Sequence, residues 1–389
     1  QDTPRSYEVA RILGNFAGIG EMKNPNDLFI DQNDTLYILD SDNSRIVVTD
    51  KYGSVLRVIE GSYGVGADGS GPQPLNKPEG LYVDEIGDIF IADTENGRIV
   101  HLTADGTFVE EFFQPTEDTY DETYPFKPSH VAVDTMGRLF CTNSKDYHGV
   151  IVIDGENHFS GYIGATKIEV SFIDKIVEIF ASAEQKEALA REVPAYYSNF
   201  VMKDNFLYAV SYWDEKDQIK KLTPAGANVY TAMAYGEENS STTYNYMPAF
   251  KDIAVDDNDC VYVLDYEKGI VQSFYPTAFA NMTHQALSLY DRGQYEDSMV
   301  YWKQVLQLSG SSQVAHYGMG KCYMNLGDYE NAAYHFKIAS DKASYSDAYW
   351  ELRDQWMTEH TVFVVLGIVM VVVLLFVLVH KRKHKEGKY

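Results

Sequence analysis

The sequence predicts a mainly β fold: a ring of repeated antiparallel sheets, a β-propeller, followed by a helical module and one membrane-spanning helix. Three observations carry this. One sheet-like unit recurs from Asn24 to Tyr275, strand periodicity gives way to helical periodicity after Pro276, and an uncharged apolar run fills 362–379.

The clearest copy of the unit runs from Lys77 to Phe112. Within it Leu81–Val83, Ile89–Ala92, Arg98–Leu102 and Thr107–Val109 are short β-branched and aromatic runs, and Asp/Gly turns separate them. Turns this short force consecutive strands to pair as a meander, because parallel pairing needs a long crossover. Asn24 to Ile59 repeats the pattern residue by residue: Pro25 matches Pro78, Asp31 matches Asp84, Asp40 matches Asp93, and Asn43/Arg45 match Asn96/Arg98. Lys127 to Gly164 is a third copy, with Asn143 in place of the aspartate and no arginine after it. Tyr197 to Tyr230 and Pro248 to Tyr275 are a fourth and a fifth, so five blades are recognisable and a sixth is left open.

The pattern P-x-G/D-[LIV]-x-V-D-x-x-G-x-[LIV]-[YF]-[LIV]-x-D-x-x-N-x-R-[LIV] in these copies resembles the NHL repeat of β-propellers, which implies the ring. Ser6 to Phe16 is a strand-like run without companions, expected to pair with the last blade and close the ring; closure removes exposed sheet edges. The glycine-rich stretch Gly61 to Pro74 reads as an interblade loop, since no Gly-Lys-Ser/Thr and no helix follow it. Residues 172–193 switch to helical spacing and read as an inserted helix.

After Pro276 a second domain is expected over 277–360. Gly318-Met319-Gly320, Asn325-Leu326-Gly327-Asp328-Tyr329, Ala332 and Phe336 resemble the tetratricopeptide repeat, and Gly293-Gln294-Tyr295 with Trp302 give a fainter earlier copy. A further helix is expected over Ser346 to His360. Residues 362–379 are long enough to cross a bilayer, within a span of 361–380. The basic tail, 381–389 with Lys381 to Lys385, places the C-terminus in the cytoplasm and 1–360 outside. The first residue is Gln1, so we expect that a secretory leader has been removed. Together with the NHL-like pattern, this resembles single-pass proteins of bacterial cell surfaces.

Composition narrows the function classes. With 57 Asp+Glu against 32 Lys+Arg, and a basic cluster only in the tail, nucleic acid is excluded as a partner. Three widely spaced cysteines, Cys141, Cys260 and Cys322, imply no disulfide framework, and Cys141 and Cys260, inside strand runs, read as buried apolar thiols. The repeated Asp40, Asp93 and Asp265, two of them followed by Asn and Arg, read as structural turns.

Aligning the five copies places Asp27, Gly80, His130, Asn199 and Asp252 at one equivalent position, at the start of the innermost strands near the axial mouth. Asp27, His130, Asn199 and Asp252 are therefore the candidate ligand-binding residues. Related propellers include lyases with axial zinc-binding histidines and lactonases with carboxylate-held calcium. Only His130 matches the former, whereas Asp27, Asn199 and Asp252 are oxygen donors of the kind calcium takes. The expectation is a non-enzymatic platform that needs no cofactor, engaging a membrane or cell-surface protein or a glycan beside the bilayer. A surface-tethered calcium-dependent lactonase-like hydrolase is the alternative.

Overall fold

The computed structural model describes residues 4–14, 16, 18–66, 69–122, 124–144, 146, 148–163, 198–211, 218–223, 228–229 and 249–386, with only the backbone for 379–386. The expected insertion at 172–193 lies outside them. The chain divides into two compact units, one of residues 6–276 and one of residues 1–5 with 277–389.

The first unit is a β-propeller with five blades among the described residues. Blade 1 pairs β2 (Asp27–Ile30), β3 (Thr35–Asp40), β4 (Arg45–Asp50) and β5 (Val55–Glu60) in sequence order. Blade 2 does the same with β8 (Gly80–Val83), β9 (Ile89–Asp93), β10 (Arg98–Leu102) and β11 (Phe108–Phe112). Between them the strands β6 (Ser62–Tyr63) and β7 (Gln73–Pro74) make a small hairpin in the glycine-rich loop. Blade 3 holds β12 (Pro128–Val133), β13 (Leu139–Asn143), β14 (Val150–Ile153) and β15 (Phe159–Ile163). Blade 4 shows β16 (Asn199–Lys203), β17 (Phe206–Val210) and β18 (Ile219–Leu222) among the described residues.

Blade 5 is assembled from both ends of the unit. Its strands β19 (Phe250–Val255), β20 (Val261–Asp265) and β21 (Ile270–Pro276) are completed by β1 (Tyr7–Leu13), which pairs antiparallel with β21 from Tyr7↔Pro276 to Leu13↔Val271. The orphan strand thus closes the ring as its isolation in the sequence predicted.

Hydrophobic cores lie between neighbouring blades. Leu39, Ile46, Leu81 and Ile91 pack between blades 1 and 2, and Phe90, Ile99, Val131 and Cys141 between blades 2 and 3. Leu36, Ile38, Leu264 and Val271 pack between blades 5 and 1. The middle strands of blades 1, 2 and 5 are buried on both faces, so runs such as Ile89–Ala92 and Val261–Leu264 read as continuous apolar stretches rather than strict alternation.

The Asp-x-x-Asn-x-Arg turn is structural, and the geometry shows how. Asp93 Oδ1 accepts the Asn76 N–H at 2.7 Å, while Oδ2 accepts Asn96 Nδ2 at 2.8 Å and Arg98 Nε at 2.7 Å. Arg98 is fully buried and donates further to the Tyr63 and Gln73 carbonyls and to Glu111, which fastens the glycine-rich loop to blade 2. Blade 1 repeats the device with Asp40, Asn43 and Arg45. The hydroxyl after each aspartate reaches the next blade: Ser41 Oγ donates to the Pro78 carbonyl at 2.6 Å and Thr94 Oγ1 to that of Pro128 at 2.7 Å.

The second unit begins at Thr277, whose hydroxyl caps the first of six helices among the described residues by accepting the Ala280 N–H. These are α1 (Ala278–Asp291), α2 (Tyr295–Leu308), α3 (Gln313–Asn325), α4 (Tyr329–Ile338), α5 (Lys342–Glu359) and α6 (Thr361–Glu386). Small residues permit close helix approach: a Cβ on Gly318 would lie 2.2 Å from the Trp302 ring, and one on Gly320 2.7 Å from that of Phe336. Thr361–Leu378 in α6 has a mean hydropathy of 3.3 with none of it buried, and is long and apolar enough to cross a membrane. All three cysteines are free; Cys141 and Cys322 are buried and Cys260 half-buried.

Candidate functional site at the propeller axis

The aligned inner-strand residues do meet, and hydrogen bonds join most of them into one chain. Asn199 Nδ2 donates to Asp252 Oδ1 at 2.6 Å, linking blade 4 to blade 5. Asp252 Oδ2 accepts the Leu28 N–H at 2.5 Å, linking blade 5 to blade 1. Asp27 Oδ2 in turn accepts the Leu81 N–H at 2.6 Å, linking blade 1 to blade 2. The remaining oxygens are also taken, Asp27 Oδ1 by the Leu28 N–H and Asp252 Oδ1 by the Ile253 N–H.

Asp27 and Asp252 are both buried and converge on the same Leu28 amide. Burial, reinforced by the negative charge of Asp252, drives the Asp27 carboxyl well above the usual carboxylate range.

The chain stops at blade 2, where the aligned residue is Gly80. A Cβ there would sit 2.5 Å from the Ser129 carbonyl oxygen and 2.8 Å from the His130 Cα, so absence of a side chain is what lets blade 3 approach. His130 stands apart from the carboxylates. Its Nδ1 lies 3.2 Å from Thr142 Oγ1, which also contacts Ser129 Oγ at 2.9 Å. Burial in the surrounding protein, with some contribution from Lys251, holds its pKa below the ordinary histidine value and outweighs the pull of Asp252. His130 is consequently neutral at pH 7.

Calcium takes six to eight oxygens aimed at one point. Here every oxygen of Asp27 and Asp252 already accepts an N–H, so the donor set does not fit a divalent cation. Among the described residues no group of three or more His, Cys, Asp or Glu is arranged to hold a metal ion.

A second polar cluster carries no signal in the sequence. Between blades 4 and 5, Lys221 Nζ lies 2.7 Å from Asp259 Oδ2 and 3.0 Å from Tyr7 Oη, above the rings of Phe206 and Tyr208, with Tyr208 Oη also bonded to Asp259. Burial lowers the Lys221 pKa despite the nearby carboxylate. Because Tyr7 belongs to β1, the cluster secures the closing strand. Its members are scattered over most of the propeller sequence with no shared motif, and no local pattern could have assembled them.

Residues 75–102 match the NHL repeat. That stretch covers Leu75 through blade 2 as far as Leu102, and includes the Asp93/Asn96/Arg98 turn. Among solved structures, the chain is similar to a streptogramin B lyase at 14% identity, covering 69% of this chain and 98% of that one, with a TM-score of 0.33. It is also similar to a catalytically inactive virginiamycin B lyase from Staphylococcus aureus solved with quinupristin, at 15% identity over 66% of this chain and 71% of that one, TM-score 0.28. A hydrazine synthase of Kuenenia stuttgartiensis matches at 12% identity over 65% and 81%, TM-score 0.36. Likeness at this level carries no activity across to this chain.

Proposed function

We propose that this protein is a membrane-anchored binding platform, with the propeller and a tetratricopeptide-like helical module held outside the cell by α6 and engaging a protein partner in a membrane complex of the transporter type. One observation carries the reading: the axial position where a propeller would assemble reactive groups is spent on joining blades, since all four oxygens of Asp27 and Asp252 accept N–H donors. Repeated sheets and paired helices then offer surface rather than chemistry. Uncovered apolar side chains along Thr361–Leu378 support the anchor, because leaving such a helix in water would cost on the order of tens of kcal/mol. Lys381, Arg382, Lys383 and Lys385 beyond it favour a cytoplasmic tail. A glycan is a second ligand class for the same face.

The test has two arms. Protease added to intact cells should remove the propeller and leave the basic tail. Mild-detergent extraction and crosslinking should recover the full chain with a stoichiometric membrane partner. A protected propeller with a digested tail would reverse the orientation. A chain that is extracted alone and opens lactones in a calcium-dependent way would replace the platform with the hydrolase alternative.

A further inference from the structure

Helix α5 sorts its side chains in a way that packing within the protein does not explain. At 3.6 residues per turn, Tyr345, Tyr349, Trp350, Arg353, Trp356 and Met357 fall within an arc of about 140°. The four acidic residues, Asp347, Glu351, Asp354 and Glu359, all lie outside it. The side that packs on the rest of the unit adjoins the arc next to Tyr345 and Trp356; there Ala348 is buried and Leu352 half-buried, with Glu359 on the same strip. The aromatic arc is open: Tyr349 is 55% exposed, and Trp350 and Trp356 are each 53% exposed. Arg353 lies over the Trp350 ring, 3.5 Å from its centroid.

The next element in the chain indicates the surface this arc faces. His360 alone separates α5 from α6, whose first eighteen residues are the apolar span. The junction is a break rather than a continuous helix. His360 between them takes φ −109° and ψ 13°, outside the helical region. α5 and α6 are therefore separate helices joined at one residue.

Trp and Tyr concentrate at the headgroup level of bilayers because their rings are apolar and their N–H or O–H is not, and arginine there pairs with lipid phosphate. Acidic side chains are kept away from such a surface. A helix with aromatic and basic residues on one side, acids on the other and a membrane span one residue away meets all of these conditions.

We propose that α5 is an interfacial helix that lies against the outer headgroup layer of the bilayer on its Tyr345/Tyr349/Trp350/Trp356 arc. This rests on the membrane reading above and adds that the helical module is held down on the lipid surface. A second copy of the chain or a partner protein would cover the arc differently, and both are outcomes of the test.

The full-length protein is reconstituted in nanodiscs of phosphatidylcholine with phosphatidylglycerol, with and without bromine in the upper acyl chain, and tryptophan emission is compared with that of Trp350→Phe/Trp356→Phe. Brominated lipid should lower the emission assigned to these two tryptophans by about twofold, and aqueous iodide should barely touch it, since rings at the headgroup level are near the bromines and away from water. Quenching by iodide but not by brominated lipid, with the protein firmly in the disc, overturns the proposal and leaves the anchor standing. Emission insensitive to both quenchers overturns it in favour of a protein or a second copy on the arc. Failure of the chain to enter discs at all sinks the anchor itself.

Discussion

Asp265 offers the sharpest test of how the repeated turn works. In blades 1 and 2 the buried aspartate faces an arginine across the hairpin, Asp40↔Arg45 and Asp93↔Arg98; in blade 5 the same register pairs Asp265 with Ile270. Without a guanidinium, Asp265 is left with backbone donors such as the Lys268 N–H, and its Oδ2 has no partner among the described residues. Burial accordingly pushes its pKa from 3.8 to about 6. Each tenfold in proton affinity is worth about 1.4 kcal/mol, so the ionised carboxylate costs about 3 kcal/mol at pH 7.5. The folded state binds this proton more tightly than the unfolded chain, so stability falls as pH rises from about 4 through about 6 and is flat above. Asp265→Asn should raise stability at pH 7.5 by up to about 3 kcal/mol and change it little near pH 4. Blade 3 already carries the amide: Asn143 Oδ1 accepts the Lys127 N–H and Nδ2 donates to the Pro125 carbonyl. The assay is urea unfolding of the full-length protein in detergent, in a Cys260→Ser/Cys322→Ser background, read by labelling of the buried Cys141 thiol with dithiodipyridine, which reacts with thiols in acid, at pH 4, 5.5 and 7.5. A variant that is less stable at pH 7.5, or whose effect is the same at pH 4, would refute the desolvation argument.

Three further perturbations probe the same architecture. Arg98→Met, which strands the buried carboxylates of Asp93 and Glu111, should cost about 3–5 kcal/mol and open the 61–74 loop to limited proteolysis; Arg45→Met, at a more exposed pair, should cost clearly less, and equal losses would contradict the account. Gly80→Ala drives a methyl into the Ser129 carbonyl and should destabilise the propeller by roughly 1–3 kcal/mol in the same thiol assay, whereas Gly137→Ala, with open space around it, tests the strain of its positive φ alone. In the helical unit, His316 Nδ1 and His335 Nδ1 are 2.9 Å apart and buried, and burial followed by the neighbouring ring holds His335 at about 4. Its folded pKa is below the unfolded value, so this unit loses stability as pH falls from about 6.5 toward 4, and His335→Gln should flatten that slope in thermal melts followed at 222 nm.

The ring was legible because it is local and repeated. Leu81–Val83, Ile89–Ala92 and their counterparts specify strands and short turns, and short turns leave only a meander; even the closing role of Ser6–Phe16 came from its lack of partners. The axial alignment was also legible, since Asp27, Gly80, His130, Asn199 and Asp252 are equivalent by repeat register. What those residues do was not. A sequence shows carboxylates as available donors, and only the fold shows Asp27 and Asp252 already occupied by the Leu28, Leu81 and Ile253 amides, with Gly80 needed for backbone clearance. Lys221, Asp259, Tyr7 and Tyr208 come together only when the two ends of the propeller meet. Local patterning by itself determined the blades, the helices and the apolar span, because hydrophobic periodicity acts over a few residues. The turn role of Asp40 and Asp93 was legible in their repetition, but the roles of Asp27, Asp252 and Lys221 were decided by tertiary structure alone, because desolvation and hydrogen-bond occupancy depend on neighbours that are distant in the chain.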